Sequence, residues 1–182
     1  TTMDDMVKNN IFRKSTANQC SPSNLVKKAE EGRVKVGQYR MIADFREVNL
    51  LIEDYEHPIP KLDEVMHYLL NMKYFAKGDG CKGYRQFLVD PKIAYLLAIL
   101  CPLGVYEHFR GPMGLKVSAA YYQQKMHEIL GNLLYQGVIQ YLDDTLVYAR
   151  TATELVEKIE EFFKKIRRNN LQLRPRKFDL FS

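Results

Sequence analysis

The chain contains no tryptophan and only three cysteines among its 182 residues. Cys20, Cys81 and Cys101 lie far apart and outside Cys-x-x-Cys spacing, which argues against a disulfide framework and a thiolate zinc site. The longest apolar run, 94–103, contains a proline and is too short for a membrane-spanning helix. The N-terminus also lacks the basic and apolar stretches of a secretory signal. We therefore expect three reduced thiols in an intracellular protein with no membrane partner.

Hydrophobic residues make up 46% of the chain and charged residues 27%, which is enough for a folded core. Lysine and arginine total 27 against 22 aspartates and glutamates, so the formal net charge is +5. A basic chain favours a polyanionic partner. The histidines show no metal-binding spacing, so we expect ordinary core or surface residues at His57, His67, His108 and His127.

Apolar periodicity and turn residues predict an α+β fold. Apolar residues at helical spacing indicate helices over 62–70, 118–130 and 152–168. Ser118 and Thr151 are the expected N-caps of the last two helices. Short segments rich in β-branched and aromatic residues predict strands at 25–26, 39–45, 73–77, 84–89, 94–101, 106–110, 137–142, 145–149 and 171–173.

Two adjacent aspartates, Asp143 and Asp144, separate two apolar strand segments in the motif YLDD. Neighbouring side chains on a strand point to opposite faces, so both can reach one site only if the turn redirects one of them. Ordinary turn chemistry is the alternative for such a pair. Asp79 is expected to end a neighbouring antiparallel strand, which would bring a third carboxylate to the same place. Carboxylate oxygens suit Mg²⁺, and paired ions promote phosphoryl or nucleotidyl transfer.

Further motifs accompany YLDD in a fixed order. They are SPSNLVKK (21–28), YRMIADFREVN (39–49), HPIPKLDEV (57–65), KGDGCKGYRQF (77–87), FRGPMGLKVSAAYYQ (109–123), YLDDTLVYA (141–149) and LQLRPRKF (171–178). The ordered set resembles reverse transcriptases, especially those of gypsy-type long-terminal-repeat retrotransposons and retroviruses. The resemblance implies an α+β fold of polymerase palm and fingers type. The fingers would comprise 1–53 and 88–117, and the palm 54–87 and 118–182.

The resemblance also assigns the chemistry. Asp79 matches the first catalytic aspartate of the family, and Asp143 and Asp144 match its YxDD pair. In the family these side chains hold two Mg²⁺ ions, which Mn²⁺ can replace, while a primer 3′-hydroxyl attacks a deoxynucleoside triphosphate (dNTP). Asp79 and Asp143 are the expected direct ligands.

Five further positions correspond to substrate-binding residues of the family. Arg40 matches an arginine that contacts the incoming triphosphate, and Tyr84 an aromatic residue that disfavours a 2′-hydroxyl. Met113 stands where the nucleotide base is expected to lie, and Gln123 ends the helix signature in a positioning role. Lys28 corresponds to a lysine of the fingers hairpin. The alternatives for Tyr84 and Arg40 are a core tyrosine and an exposed hairpin residue.

The chain departs from the family beside the first aspartate. Relatives usually have bulky apolar residues there, whereas this chain has Gly78 and Gly80, so we expect greater backbone freedom. The chain ends at Ser182, before the thumb and ribonuclease H portions of the family, so we expect a portion without a thumb. A polyprotein with flanking protease and ribonuclease H regions is also expected, in a cytoplasmic virus-like particle or the nucleus.

Three functions remain open on the sequence alone. The favoured one is an RNA-directed DNA polymerase that uses a primed RNA or DNA template and dNTPs. The second is a weak or inactive nucleic-acid-binding module derived from such an enzyme. The third is an RNA-templated RNA polymerase, which Tyr84 disfavours.

Overall fold

The computed structural model describes residues 3–27, 39–80 and 83–181. Cys20 and Cys101 are free thiols, and Cys81, the third expected thiol, lies outside the described residues. None of the helices that the described residues form is long and apolar enough to cross a membrane. The chain divides into two compact units, the first comprising Thr1–Asp54 and Phe87–Ser118 and the second comprising Tyr55–Gln86 and Ala119–Ser182.

The described residues form α-helices and short β-strands. The helices are α1 (Met3–Lys8), α2 (Arg46–Leu51), α3 (Leu62–Leu69), α4 (Ser118–Leu130) and α5 (Ala152–Arg168). The strands are β1 (Phe12–Lys14), β2 (Ser21–Lys27), β3 (Tyr39–Ala43), β4 (Tyr74–Asp79), β5 (Ala98–Cys101), β6 (Gly104–His108), β7 (Val138–Tyr141), β8 (Asp144–Ala149) and β9 (Asp179–Phe181).

The first unit contains a five-stranded sheet of order β1-β6-β5-β2-β3. The strands pair antiparallel except for β2 and β5, which are parallel. Strands that follow each other along the chain pair antiparallel in two cases, β2 with β3 and β5 with β6. A core of buried apolar side chains stabilises this unit, formed by Met3, Ile11, Phe12, Phe45, Leu97, Ile99 and Tyr106.

The second unit contains an antiparallel sheet of order β7-β8-β4-β9. Helix α5 packs against β4 and β8, because its apolar stripe buries Leu155, Phe162 and Ile166. Helix α4 buries Tyr122, Gln123, Met126 and Leu130. The predicted acidic turn joins β7 to β8 at one end of this sheet.

Three strand predictions are wrong or incomplete. The segment Gly83–Gln86 forms a 3₁₀ helix rather than the start of a strand. Ala94–Leu97 is also a 3₁₀ helix, so the following strand begins only at Ala98. Leu173 forms one isolated bridge with Gly80, and the strand that completes the sheet is β9. Aromatic and apolar composition alone does not separate a strand from a short buried 3₁₀ turn.

The predicted helix bounds agree with α3, α4 and α5. The N-cap prediction holds for Thr151, whose hydroxyl oxygen accepts a hydrogen bond from the Glu154 amide at 3.2 Å. Ser118 is instead the first residue of α4, and its hydroxyl donates to the Pro112 carbonyl at 3.0 Å rather than to a group of the helix. Asn170, two residues after α5, has a φ of 54°, a left-handed conformation that commonly follows a helix C-terminus.

Candidate active site

The sheet register brings the acidic residues to one end of the sheet. Asp79, the last residue of β4, lies directly opposite Asp144, the first residue of β8. The Gly80 amide, one residue further along, donates to the Asp143 carbonyl at 3.3 Å. The two-residue turn is Leu142-Asp143 rather than the expected Asp143-Asp144 pair, because Asp144 already pairs with Tyr141. Leu142 has a φ of 50°, the left-handed conformation that lets this tight turn redirect the Asp143 side chain.

The Asp143 carboxylate is the most unusual group of the site. Among the described residues, its Oδ1 is the one buried side-chain oxygen or nitrogen that has no hydrogen-bond partner. Burial raises the pKa of Asp143, and the charges of Asp79 and Asp144 raise it further, whereas Arg174 lowers it. A buried carboxylate oxygen without a donor is unfavourable for the fold alone. The site therefore keeps an acceptor that a cation could satisfy.

Basic side chains accompany the other two carboxylates. Lys177 Nζ lies 2.9 Å from Asp79 Oδ2, and Arg174 Nε lies 3.7 Å from Asp79 Oδ1. Lys77 Nζ lies 3.2 Å from Asp144 Oδ1. Within the part of the chain that the structure describes, no three His, Cys, Asp or Glu side chains are grouped to hold a metal ion. The assignment of Asp79, Asp143 and Asp144 as metal ligands thus stays a prediction.

Tyr122 fills the space beside the first aspartate. A Cβ atom on Gly80 would lie 3.0 Å from the Tyr122 hydroxyl oxygen, and one on Gly83 would lie 3.1 Å from the Tyr122 ring and 3.2 Å from Asp143 Oδ1. Neither glycine adopts a left-handed φ, and Gly78 lies inside regular strand β4. A need for greater backbone freedom, as expected from the sequence, therefore does not explain the glycine at position 80. The missing side chain makes room for Tyr122.

Tyr84 lies in the 3₁₀ helix that follows β4. Its ring meets the Tyr122 ring edge-on, with 5.4 Å between the centroids. Burial raises the pKa of Tyr84, and the charge of Asp143 raises it further. Tyr84 therefore lies within electrostatic reach of the acidic turn, and its role as a nucleotide contact stays a prediction.

Gln123 holds the acidic turn from α4. Its side chain is fully buried, and its Oε1 accepts a hydrogen bond from the Leu142 amide at 2.9 Å. Its Nε2 donates to the Gln140 carbonyl at 2.8 Å. The Gln140 side chain, also fully buried, donates to the Leu142 carbonyl and accepts from the Thr145 hydroxyl at 2.6 Å. Two buried amides thus hold the backbone of Leu142 on both sides.

Two histidines, for which the sequence predicts only ordinary core or surface positions, extend this network. His127 Nε2 lies 2.7 Å from Gln123 Nε2, and His127 Nδ1 lies 3.0 Å from His57 Nε2. Sequence spacing could not reveal the pair, because His57 precedes α3 and His127 lies in α4. The basic partners of Asp79 and the hydrogen-bonding role of Gln140 were missed for the same reason.

The remaining predicted substrate contacts belong to the first unit or lie outside the described residues. Arg40 is in β3, opposite Val26. Met113 lies in the segment before α4 and is exposed. Lys28 lies outside the described residues, as does the rest of the charged segment 28–38. The structure brings together Asp79, Asp143, Asp144, Tyr84 and Gln123 within the second unit.

A family model described as reverse transcriptase (RNA-dependent DNA polymerase) matches residues 26–182. The chain belongs to the reverse transcriptase family. This reverse transcriptase chain is 31% identical over 169 residues to the retrovirus-related Pol polyprotein from transposon 297 of Drosophila melanogaster, covering 93% of the chain and 16% of that polyprotein. It is 27% identical over 165 residues to the transposon Tf2-3 polyprotein of Schizosaccharomyces pombe, covering 91% of the chain and 12% of that polyprotein. The chain thus spans only a small part of these relatives.

Solved structures share the fold of the reverse transcriptase chain. The foamy viral protease-reverse transcriptase in complex with double-stranded DNA matches with a TM-score of 0.87 and 22% identity, over 99% of this chain and 30% of that one. The same enzyme in complex with an RNA/DNA hybrid matches with a TM-score of 0.82 and 22% identity, over 98% and 23%. These likenesses confirm the α+β fold of palm and fingers type. The narrower expectation of a gypsy-type element stays a prediction.

Proposed function

We propose that this chain is the palm and fingers portion of an RNA-directed DNA polymerase that transfers nucleotides from dNTPs to a primer 3′-hydroxyl. The observation that carries the proposal is the buried, unpartnered Oδ1 of Asp143 beside Asp79 and Asp144. A fold seldom keeps such an oxygen without a functional reason. The second unit is the proposed palm, and the first unit the proposed fingers.

Reverse transcriptases generally use divalent metal ions, and the acidic residues suit such ions. All three side chains offer the hard oxygen ligands that Mg²⁺ and Mn²⁺ prefer. We assign Asp79 and Asp143 as direct ligands of two Mg²⁺ ions, with Asp144 beside them. Ions bound there would activate the primer hydroxyl and stabilise the leaving phosphate. Lys177, Arg174 and Lys77 balance part of the carboxylate charge, and the first two can also attract the phosphates of the substrates.

The remaining roles follow from the family pattern. Arg40 would contact the triphosphate, Tyr84 would disfavour a ribose 2′-hydroxyl, and Met113 would lie against the base. Lys28 would contact the template. The net charge of +5 also favours binding to a nucleic acid. Gln123 would position the acidic turn, a role that its two backbone hydrogen bonds support. Flanking protease and ribonuclease H regions and an intracellular location are part of the same proposal.

Primer extension on an RNA template tests the activity. We expect the wild type to extend a DNA primer with dNTPs and Mg²⁺, and Asp143→Asn to lose on the order of a thousandfold or more in rate, because the variant removes an anionic ligand. Asp179→Asn is the matched control, since it neutralises an exposed carboxylate of β9 in the same sheet. This control should retain activity, and both variants should bind the primed template as tightly as the wild type.

The same assay separates the other two functions. A wild type that binds the template but extends no primer with either Mg²⁺ or Mn²⁺ would favour a non-catalytic binding module. Incorporation of ribonucleotides in preference to dNTPs would favour an RNA polymerase. Full activity in Asp143→Asn would show that the ligand assignment is wrong.

A further inference from the structure

The buried amide of Gln123 has only one orientation that suits its surroundings. The Leu142 amide can only donate, so the atom facing it must be the carbonyl oxygen Oε1. The Gln140 carbonyl can only accept, so the atom facing it must be the nitrogen Nε2. Turning the amide over would place two donors together at one contact and two acceptors together at the other. The two backbone contacts therefore fix the amide independently of each other.

This orientation determines the protonation of His127. Gln123 Nε2 carries two hydrogens, of which one goes to the Gln140 carbonyl. The other points to His127 Nε2 at 2.7 Å, so that ring nitrogen must be an unprotonated acceptor. A neutral imidazole then carries its proton on Nδ1, which donates to His57 Nε2 at 3.0 Å. Gln123 thus donates a hydrogen bond to His127, and His127 donates one to His57.

The surroundings of His127 favour the neutral ring. His57 faces it from the segment before α3, and the ring of Tyr135 lies edge-on at 6.2 Å between centroids. Tyr68 stacks on the Tyr135 ring, and Glu64 of α3 lies within electrostatic reach of Tyr135. Burial lowers the pKa of His127, and His57 lowers it further. None of the ion pairs among the described residues involves His127.

We propose that His127, held by His57, is a positioning residue that fixes the YLDD turn through the side-chain amide of Gln123. Without an acceptor at His127 Nε2, one buried N–H of Gln123 loses its partner, and only the two backbone hydrogen bonds still hold the amide. The hydrogen bond to the Leu142 amide then opens more often, and Asp143, the next residue, is held less firmly. The catalytic consequence rests on the proposed function, whereas the ordering of the turn does not.

The first test is the tautomer of His127 in the wild type, measured by ¹⁵N nuclear magnetic resonance (NMR). We expect the proton on Nδ1 and an unprotonated Nε2 at neutral pH. A proton on Nε2 would overturn the inference, because that nitrogen could not accept from Gln123. This measurement depends neither on a variant that folds nor on polymerase activity.

The second test is hydrogen exchange of the Leu142 amide in three variants. His127→Phe keeps a ring but removes the acceptor, so Leu142 should exchange about tenfold faster, as loss of one hydrogen bond implies. His127→Gln places a carbonyl oxygen near the position of Nε2 and should restore most of the protection. His67→Phe is the matched control, since His67 is exposed on α3, and it should leave Leu142 unchanged. Unchanged exchange in His127→Phe, or equal loss in His127→Gln, would overturn the inference.

The kinetic readout separates the inference from the proposed function. In primer extension, His127→Phe should lower kcat while the KM for primed template stays that of the wild type, and His127→Gln should recover kcat. Changes in KM alone would contradict a role at the turn. A wild type without polymerase activity, but with the expected tautomer and exchange, would contradict the proposed function and leave the ordering of the turn supported.

Discussion

Tyr122 packs against Gly80 and Gly83, in the space that side chains at these two positions would occupy. Different atoms of Tyr122 face the two glycines. The hydroxyl oxygen faces Gly80, whereas ring carbons face Gly83. Tyr122 is almost completely buried, so it cannot move aside easily. Burial also raises its pKa, so the hydroxyl stays protonated beside the acids. The size of the residue at position 122 therefore limits what positions 80 and 83 can hold.

A double-mutant cycle tests this packing. Gly80→Ala should destabilise the protein by about 1 kcal/mol, because the cost of overpacking exceeds the stabilisation that comes from the lower entropy of the unfolded chain. In a Tyr122→Phe background the same change should cost clearly less, since the atom it would meet is gone. Urea unfolding of the four proteins measures both costs.

Gly83→Ala is the control for this cycle. Its Cβ would meet ring carbons that phenylalanine retains, so its cost should be the same in both backgrounds. If Tyr122→Phe relieved both glycine substitutions equally, or neither, the assignment of the hydroxyl to Gly80 would be wrong.

At the residue scale, site residues that belong to a sequence motif could be predicted. Residues that reach the site only through the fold could not. Asp79, Asp143 and Asp144 could be named because acids beside apolar strands are unusual. His57 and His127 could not, because only the fold places a residue preceding α3 against α4. Arg174 and Lys177 lie in the motif LQLRPRKF, but only the fold, with its 3₁₀ helix at Pro175–Lys177, places them beside Asp79.

At the scale of elements, α5 offers a test of local structure. The Thr151 hydroxyl accepts from the Glu154 amide, while Glu154 Oε2 accepts from the Arg150 amide at 3.1 Å, one residue before the position that a capping box requires. Thr151→Ala should therefore lower the free energy of unfolding by about 1 kcal/mol, whereas Thr151→Ser should cost only a few tenths. Thermal unfolding of the two variants measures the difference. Equal losses would mean that the hydroxyl does not cap α5.

Long helices could be predicted because each carries several turns of one periodic pattern. Helix α5 repeats its apolar stripe over 17 residues, and α4 over 13. The misassigned segments are four residues each, too short for any period to be distinguished. Strand β9 was missed because its three residues form a strand only by pairing with β4, a contact distant in sequence.

At the scale of the whole molecule, His127 links the acidic turn to the pH dependence of stability. The pKa of His127 in the folded protein is below its ordinary value of 6.5, so the unfolded state binds a proton at this ring more readily than the folded state does. Its contribution to stability is therefore complete above pH 6.5 and is lost progressively as the pH falls below that value. The raised pKa of Asp143 acts in the opposite direction, because a folded state that binds protons more tightly gains stability on acidification.

The comparison that isolates His127 is the wild type against His127→Gln, since Asp143 is present in both. The free energy of unfolding of the wild type should fall towards that of the variant as the pH is lowered below 6.5, and the two should differ by a constant amount above it. Urea titrations across this pH range measure the difference. His67→Gln should show no such convergence, because His67 is exposed on α3. A difference that stays constant or widens on acidification would show that His127 is not kept neutral by the fold, and the unprotonated Nε2 that Gln123 requires would lose its support.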